Sequence, residues 1–585
     1  MIFSRGSGRR RSGYWSARRA ARWSGRWSGR RPGCQIGARP WSGPRRRARA
    51  RAGRLRATAR DAFGWERLRP GQREAMEHLL AGRDVLLVMP TGGGKSAVYQ
   101  VPGLLLDGPT VVISPLIALQ RDQVMSLLTA DAGGAVAVNS AGSVEAGLDQ
   151  VIAGRAEYVF LSPEQLAKPE VVDRLAEARP SLIAVDEAHC VSAWGHDFRP
   201  EYLRLGKVIE RLGHPPVIAM TATAAPTVRD EIVRSLGMTS AQQLVRGFDR
   251  PNIYLEVRRF TCEDDKRRAL AEHPMDGLGL VYVATRRQAE EYAALLSDGG
   301  RRAEPYHAGM KAKDRRTIHE LFQGDGLDVV VATSAFGMGI DKPDVRFVLH
   351  AAPPESLDAY YQEIGRAGRD GEPASAVLFY RPEDLGLRKF FGGGRADRAA
   401  MERIAEIVRE LDDSGEVPPA RLRELLDVGP VKLASQVNLL ERAGAVEVAH
   451  GGGLSYALDG PPPDEAADRA MKLDDMRHRL DDSRLEMMRG YAETTGCRRR
   501  FLLEYFGEPY ERVCGACDTC RSGEAAAPAV TGDEGPYPLH AGVRHAEWGP
   551  GIVMSREPDR ITVLFDSVGY KTLALGAVEG ILGLA

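Results

Sequence analysis

Residues 85–96 read Val-Leu-Leu-Val-Met-Pro-Thr-Gly-Gly-Gly-Lys-Ser, and this stretch limits the possible folds more than any other. An apolar run, Val85 to Val88, enters a turn with three glycines, and the helix-compatible Ala97-Val98-Tyr99-Gln100 follows. Strand, glycine-rich loop and helix in that order make a phosphate-binding loop. Glycines let backbone N–H groups close around a polyphosphate, and the helix N-terminus adds positive dipole. Thr91, Gly92, Gly93 and Gly94 would form the cradle, Lys95 would reach the terminal phosphates and Ser96 would hold Mg²⁺. The strict pattern has glycine where Met89 stands, so a glycine-rich turn that binds nothing stays open on this stretch alone.

The surrounding sequence narrows that choice. From about 62 to 255, short apolar strands alternate with helical segments: Val85 to Val88, Thr110 to Ile113, Tyr158 to Leu161, Leu182 to Val185 and Val217 to Met220. A second series follows Asp249-Arg250-Pro251-Asn252, with strands at Gly279 to Val283, Val329 to Ala332, Phe347 to His350 and Ala376 to Phe379. Such alternation predicts two tandem α/β domains with parallel sheets, 59–255 and 256–390. The strand Leu182 to Val185 ends in Asp186-Glu187, where open parallel sheets bind ligands. Asp186 can hold Mg²⁺ there, and Glu187 can orient and deprotonate a water.

Residues 186–203, Asp-Glu-Ala-His-Cys-Val-Ser-Ala-Trp-Gly-His-Asp-Phe-Arg-Pro-Glu-Tyr-Leu, resemble the DEAH box and aromatic-rich loop of the RecQ family of superfamily 2 DNA helicases. Other motifs of that family occur in order: Arg69-Pro70-Gly71-Gln72, Ser114-Pro115-Leu116, Thr221-Ala222-Thr223, a stretch ending Phe-Gly-Met-Gly-Ile-Asp at 341, and Gln362 to Gly371. The resemblance covers about 62–380. It implies two RecA-like domains, ATP as substrate, single-stranded and duplex DNA as partners, 3′ to 5′ polarity and a role in recombination and repair. It assigns Gln72 to an adenine edge, Gln362 to the nucleotide site, and Thr221 and Thr223 to coupling between domains. Arg366 and Arg369 can act as arginine fingers from the second domain, or can form ordinary surface ion pairs. Trp194, His196, Phe198 and Arg199 suit stacking and pairing with single-stranded DNA; Trp194 and Phe198 also suit a core. Thr285 and Arg286, with Tyr306-His307-Ala308-Gly309, resemble strand-backbone contacts of the second domain.

Beyond residue 390 the pattern changes. Helices at Arg421 to Leu426 and Leu433 to Ala443, with strands Val446 to Val448 and Ser455 to Leu458 across Gly451-Gly452-Gly453, predict a winged-helix-like insert over 391–470. A helical insert without that role fits equally, and the family resemblance places such a module after the cysteines, not before. Cys497, Cys514, Cys517 and Cys520 offer four thiolates, a set for structural Zn²⁺, over a zinc-binding segment of 471–523. Their tight spacing also suits an iron–sulfur cluster, for which the next cysteine of the ferredoxin pattern is missing. A linker, 524–536, leads to short strands: Gly542 to His545, Gly551 to Ser555, Ile561 to Phe565 and Lys571 to Leu573. They predict a small β-barrel over 537–585 that resembles the Tudor-like barrel of UvrD-type helicases, with His545, Trp548 and Gly551 in the resembling stretch. The resemblance implies docking of RNA polymerase, a repair protein or DNA; a packing module stays open.

The net charge of +1 hides an asymmetry: residues 1–60 hold nineteen arginines and no lysine or acid, leaving −18 on the other 525 residues. Residues 1–58, with repeated Arg, Trp, Ser and Gly, predict disorder. They suit a nucleic-acid tether, or a start codon placed too far upstream, and lack the apolar core of a secretory signal. No apolar run is long enough for a membrane span, and the expected compartment is the bacterial cytoplasm and nucleoid. Two other readings remain: an RNA helicase, and a DNA-binding adaptor with a vestigial ATPase.

Overall fold

The computed structural model describes residues 44–139, 143–192, 199–336, 342–391, 395–411, 416–449, 453–510, 512–525, 536–556, 560–578 and 580–584. Residues Ala50–Ala585 form one unit. Its first sheet contains β1 (Val85–Val88), β2 (Thr110–Ile113), β3 (Ala135–Val138), β4 (Tyr158–Leu161), β5 (Leu182–Val185), β6 (Val217–Thr221) and β7 (Gln242–Val245). The order is β3-β4-β2-β5-β6-β1-β7, all parallel. The five strands expected from their apolar runs occupy the middle and are buried throughout, as a parallel sheet covered on both faces requires. Met89 continues β1 by donating its N–H to Thr221 O at 3.1 Å and is buried, which explains an apolar residue where the strict loop pattern has glycine.

The second sheet has β8 (Ile253–Arg259), β9 (Leu278–Tyr282), β10 (Ala303–Tyr306), β11 (Val329–Ala332), β12 (Val345–His350) and β13 (Ala374–Tyr380), in the order β10-β11-β9-β12-β13-β8, again parallel. Strand β8 is an edge, and the cysteine loop covers it. Leu255 bridges Cys517 and donates its N–H to Ala516 O at 3.2 Å, while Val257 N–H donates to Asp518 at 2.9 Å. An exposed ladder edge is thereby paired within the chain.

The insert has helices Arg398–Leu411, Pro419–Leu426 and Pro430–Arg442 and the antiparallel hairpin β14 (Val446–Val448) and β15 (Leu454–Tyr456), with Val417 bridging Leu454. That is the element order expected of a winged helix, with the second strand ending two residues earlier than expected. The insert has its own core, with Met401, Ile404, Leu422 and Leu440 at its centre. The helix Pro463–Glu493 adds Ala466, Ala467 and Ala470 to this core and runs on towards the cysteines, so the expected boundary at 470 falls inside a continuous 31-residue helix. Residues 395–462 carry eight Lys and Arg against twelve Asp and Glu, a balance that opposes docking in a DNA groove.

At the C-terminus, β16 (Gly542–His545), β17 (Gly549–Arg556), β18 (Arg560–Phe565), β19 (Gly569–Ala574) and β20 (Leu582–Leu584) form an antiparallel sheet in the order β19-β18-β17-β16-β20. Among the described residues this order is linear, and closure into the expected barrel is not seen. It packs on the zinc segment: the Tyr505 and Tyr570 rings stack at 4.8 Å, and Ser555 Oγ donates to Glu504 at 2.8 Å.

One expectation needs correction. Residues 44–58, read as part of a disordered extension, lie in the helix Pro44–Phe63, and Leu55 and Ala59 are buried against a core that includes Ala75, Met76 and Leu79. Two apolar side chains one turn apart suffice to seat this helix, and Arg54, Arg56 and Arg60 keep their cationic heads exposed. Among the described residues no helix is long and apolar enough to cross a membrane.

Candidate active site

The phosphate loop takes its shape from its glycines. Gly92 and Gly94 have φ of 76° and 78°, a left-handed backbone that costs a side chain energy, and a Cβ on Gly93 would sit 2.9 Å from Pro90 O. Lys95 is partly buried and donates to Met89 O at 3.3 Å, so its amine is folded over the loop; desolvation pushes its pKa down, and Glu187 and Asp186 oppose that shift. Ser96 Oγ accepts from Gln123 Nε2 at 3.1 Å, a partner on the helix Ile117–Thr129 that the motif reading missed. Gln72 is buried beside the loop. Its amide accepts from Arg69 N–H at 2.7 Å and donates to Gly94 O at 2.9 Å, so donor and acceptor both engage the loop and its approach. The Arg69 guanidinium adds a bond to Gly92 O.

Strand β5 delivers Asp186 and Glu187 opposite this loop. Glu187 sits at φ 47° and donates its N–H to Asp186 Oδ1 at 3.0 Å. Burial, and then the charge of Glu187, push the Asp186 carboxyl up to about 6, with Lys95 pulling the other way. Two adjacent carboxylates in a buried setting leave negative charge that a divalent cation suits, so Asp186 and Ser96 fit Mg²⁺.

A chain of contacts leaves the acidic pair. His189 Nδ1 lies 3.3 Å from Glu187 Oε2 and 3.0 Å from Thr221 Oγ1. The Thr221 hydroxyl donates to Thr223 O at 2.9 Å, which leaves it to accept from His189 and assigns the proton to Nδ1. Gln362 Nε2, from the second sheet's side, donates to Thr223 Oγ1 at 3.2 Å. His189 was quoted within the acidic motif and given no role; its partner at residue 221 is too distant in sequence for a local pattern to reveal.

The two arginines behave differently. Arg369 lies against the phosphate loop: a Cβ on Gly92 would sit 3.4 Å from its Cγ. Arg366 is buried beside Tyr282, and its Nε has no hydrogen-bond partner among the described residues. A buried donor left in this way suits an incoming anion. Arg366 does not match the surface ion-pair alternative, because it is buried and no acid pairs with it among the described residues.

Other expected residues lie elsewhere. Trp194, His196 and Phe198 fall outside the described residues; Arg199 is described and its N–H donates to Cys190 O at 3.0 Å. Thr285 caps the helix Arg286–Asp298 in a reciprocal box with Gln288, so its hydroxyl accepts from the Gln288 N–H at 3.1 Å. Arg286 lies against Gly309, which unites it with the Tyr306–Gly309 stretch.

The sulfurs of Cys497, Cys514, Cys517 and Cys520 all lie within 4.8 Å of one another, a set that suits tetrahedral zinc. The neighbouring arginines fix the cluster in place: Arg498 pairs with Asp518 at 2.6 Å, and Arg499 with Asp249 at 2.6 Å.

Comparison with known proteins agrees with this arrangement. The DEAD/DEAH box helicase family matches residues 69–231, the helicase conserved C-terminal domain 265–371, and the RecQ zinc-binding family 465–521. The chain is 36% identical over 476 residues to the probable ATP-dependent DNA helicase RecS of Bacillus subtilis (strain 168), covering 80% of this chain and 91% of that protein. It is 35% identical over 475 residues to the ATP-dependent DNA helicase RecQ of Pasteurella multocida (strain Pm70), covering 80% of this chain and 62% of that protein. Against RecQ of B. subtilis the identity is 34% over 469 residues, with 79% and 66% covered. The match therefore spans under two thirds of the two RecQ proteins' length and nearly all of RecS. With nucleotide loop, acidic pair, arginine turn and cysteine cluster in one unit, the chain belongs to the RecQ family of helicases.

Proposed function

We propose that the chain is an ATP-dependent DNA helicase that binds ATP between its two parallel-sheet halves, steps 3′ to 5′ along one strand, and separates duplex DNA during recombination or repair. The observation that carries this reading is Arg369, from the second half, lying against Gly92 of the phosphate loop in the first. In it, Lys95 holds the terminal phosphates, Ser96 and Asp186 would hold Mg²⁺, and Glu187 orients the attacking water and takes its proton. Arg366 and Arg369 stabilise the charge on the transferred phosphoryl group, a contribution of about 10³ to 10⁵ in rate in other nucleotide hydrolases. Mg²⁺, when bound, neutralises charge between the phosphates. Because these groups come from both halves, hydrolysis requires the cleft to close, and closure is the movement that strand stepping would use.

The test is steady-state ATPase of the whole chain with no nucleic acid, with single-stranded DNA and with RNA, alongside displacement of a labelled strand from 3′-tailed and 5′-tailed duplexes. DNA stimulation with displacement of the 3′-tailed substrate, both lost in Lys95→Ala, supports the reading. Stimulation by RNA alone makes the chain an RNA helicase, and no stimulation by either sinks the proposal.

A further inference from the structure

Arg250 lies in the segment between β7 and β8, which joins the two sheets. Its guanidinium is partly buried, and all its hydrogen-bond partners among the described residues are backbone carbonyls. Nη1 donates to Thr91 O at 3.3 Å and to Gly365 O at 3.1 Å; Nη2 donates to Ala367 O at 2.8 Å and to Gly368 O at 3.0 Å. Thr91 belongs to the phosphate loop, whereas Gly365, Ala367 and Gly368 form the turn that follows the helix Leu357–Ile364 and carries Arg366 and Arg369. One side chain thus holds both walls of the cleft.

The chemistry favours this use. A helix C-terminus leaves unpaired carbonyls and negative dipole, which a cation complements. A planar guanidinium can bond several carbonyls at fixed angles, which an ammonium cannot. Asn252 completes the brace: its Nδ2 donates to Gly368 O at 2.8 Å and Glu372 O at 2.9 Å. Gly368 has φ 57°, and the turn closes tightly there against Asn252. Burial lowers the Arg250 pKa, which marks a cation held at some cost without a carboxylate beside it.

We propose that Arg250 is a positioning residue for nucleotide hydrolysis: it sets the register between the phosphate loop and the turn that carries Arg366 and Arg369, and so makes the arginine pair's approach depend on the inter-sheet segment. The inference rests on the ATPase reading above. Arg250 does not touch the reacting atoms; it acts through Arg369 and Arg366.

The experiment uses the full chain with ATP and single-stranded DNA, and compares wild type with Arg250→Met, Arg250→Lys, Arg369→Ala and the double variant R250M/R369A. Misplacing a reacting group by about 1 Å costs about 10²-fold in rate, so Arg250→Met is expected to lower the DNA-stimulated kcat by about that factor. The KM for ATP should stay within about threefold, because the lost interaction serves the transition state and not ground-state binding. Arg250→Lys should fall between wild type and Arg250→Met. The double variant should lose less than the product of the two single losses, since only Arg366 is then left to position. A kcat for Arg250→Met close to wild type, or multiplicative losses in the double variant, overturns the inference. If Arg250→Met does not fold, Arg250→Lys with an unchanged melting temperature decides: a kcat equal to wild type overturns it, and a reduced kcat with unchanged KM supports it. A wild-type chain without ATPase activity overturns the parent reading and this inference together, whereas active wild type with an indifferent Arg250→Met overturns this inference alone.

Discussion

Gln362 Nε2 donates to Thr223 Oγ1 at 3.2 Å, and Thr223 is the far end of a chain of contacts that begins at Glu187. The acidic pair beside the phosphate loop is therefore joined to the second sheet's arginine turn through His189, Thr221 and Thr223. Valine keeps the shape of Thr223 and removes only the hydroxyl. A neutral hydrogen bond contributes about 1 kcal/mol net, so Thr223→Val is expected to lower the strand displaced per ATP hydrolysed by about fivefold. ATP binding should be unchanged. An unaltered ratio of displacement to hydrolysis sinks the coupling role.

Glu187 is held at a left-handed backbone angle with its carboxylate 3.3 Å from His189 Nδ1. Glu187→Gln keeps the side-chain length and removes the proton acceptor. Loss of a positioned base costs about 10² to 10⁴ in rate, and that drop is expected in single-turnover ATP hydrolysis. Equilibrium binding of ATP, followed separately, should persist. Hydrolysis at the wild-type rate would remove Glu187 from the chemistry, and DNA-dependent activities that are all unchanged as well would favour the adaptor reading.

The cysteine loop pairs with the free edge of β8, so zinc bears on the second sheet as well as on its own segment. Cys517→Ser should abolish stoichiometric zinc measured by atomic emission, lower the melting temperature, and increase hydrogen exchange at Leu255 and Val257, whose N–H groups bond the loop. Structural zinc sites contribute folding free energy directly, so the two losses should appear together. Loss of zinc with unchanged exchange at those two amides would separate the metal from the sheet edge.

How much of this was legible in the sequence depended on position in the sheets. The strands that apolar runs revealed are the central ones: β1, β2, β4, β5 and β6 in the first sheet, and β9, β11, β12 and β13 in the second. The strands missed, β3, β7, β8, β10 and β20, are all edges. An edge strand is half solvated, so its pattern is mixed; Gln242-Gln243-Leu244-Val245 has a single buried residue. Site residues followed a similar rule. Lys95, Asp186 and Arg369 stand in local motifs whose residue order already encodes a loop or strand end. Gln123 and Arg250 act through partners 27 and 115 residues away, and local spacing carries no record of such pairs.

The C-terminal sheet offers a test of whether it is a fixed part of the molecule. Gly569, which opens β19, has φ 74°, and a Cβ there would sit 2.8 Å from Ser483 Cβ and 3.3 Å from Leu480 Cδ2 on the helix Pro463–Glu493. Two costs would follow from Gly569→Ala: a left-handed backbone, about 1 to 2 kcal/mol, and forced separation of sheet from helix, about 1 to 3 kcal/mol. Gly580 isolates the first cost, because its φ is 80° and nothing lies within 4 Å of its Cβ position. Gly569→Ala is therefore expected to destabilise the chain more than Gly580→Ala in denaturant unfolding, since Tyr570 would also lose its stacking on Tyr505. Equal effects of the two substitutions would mean that the sheet does not bear on the zinc segment, and would leave its inner face free for another protein.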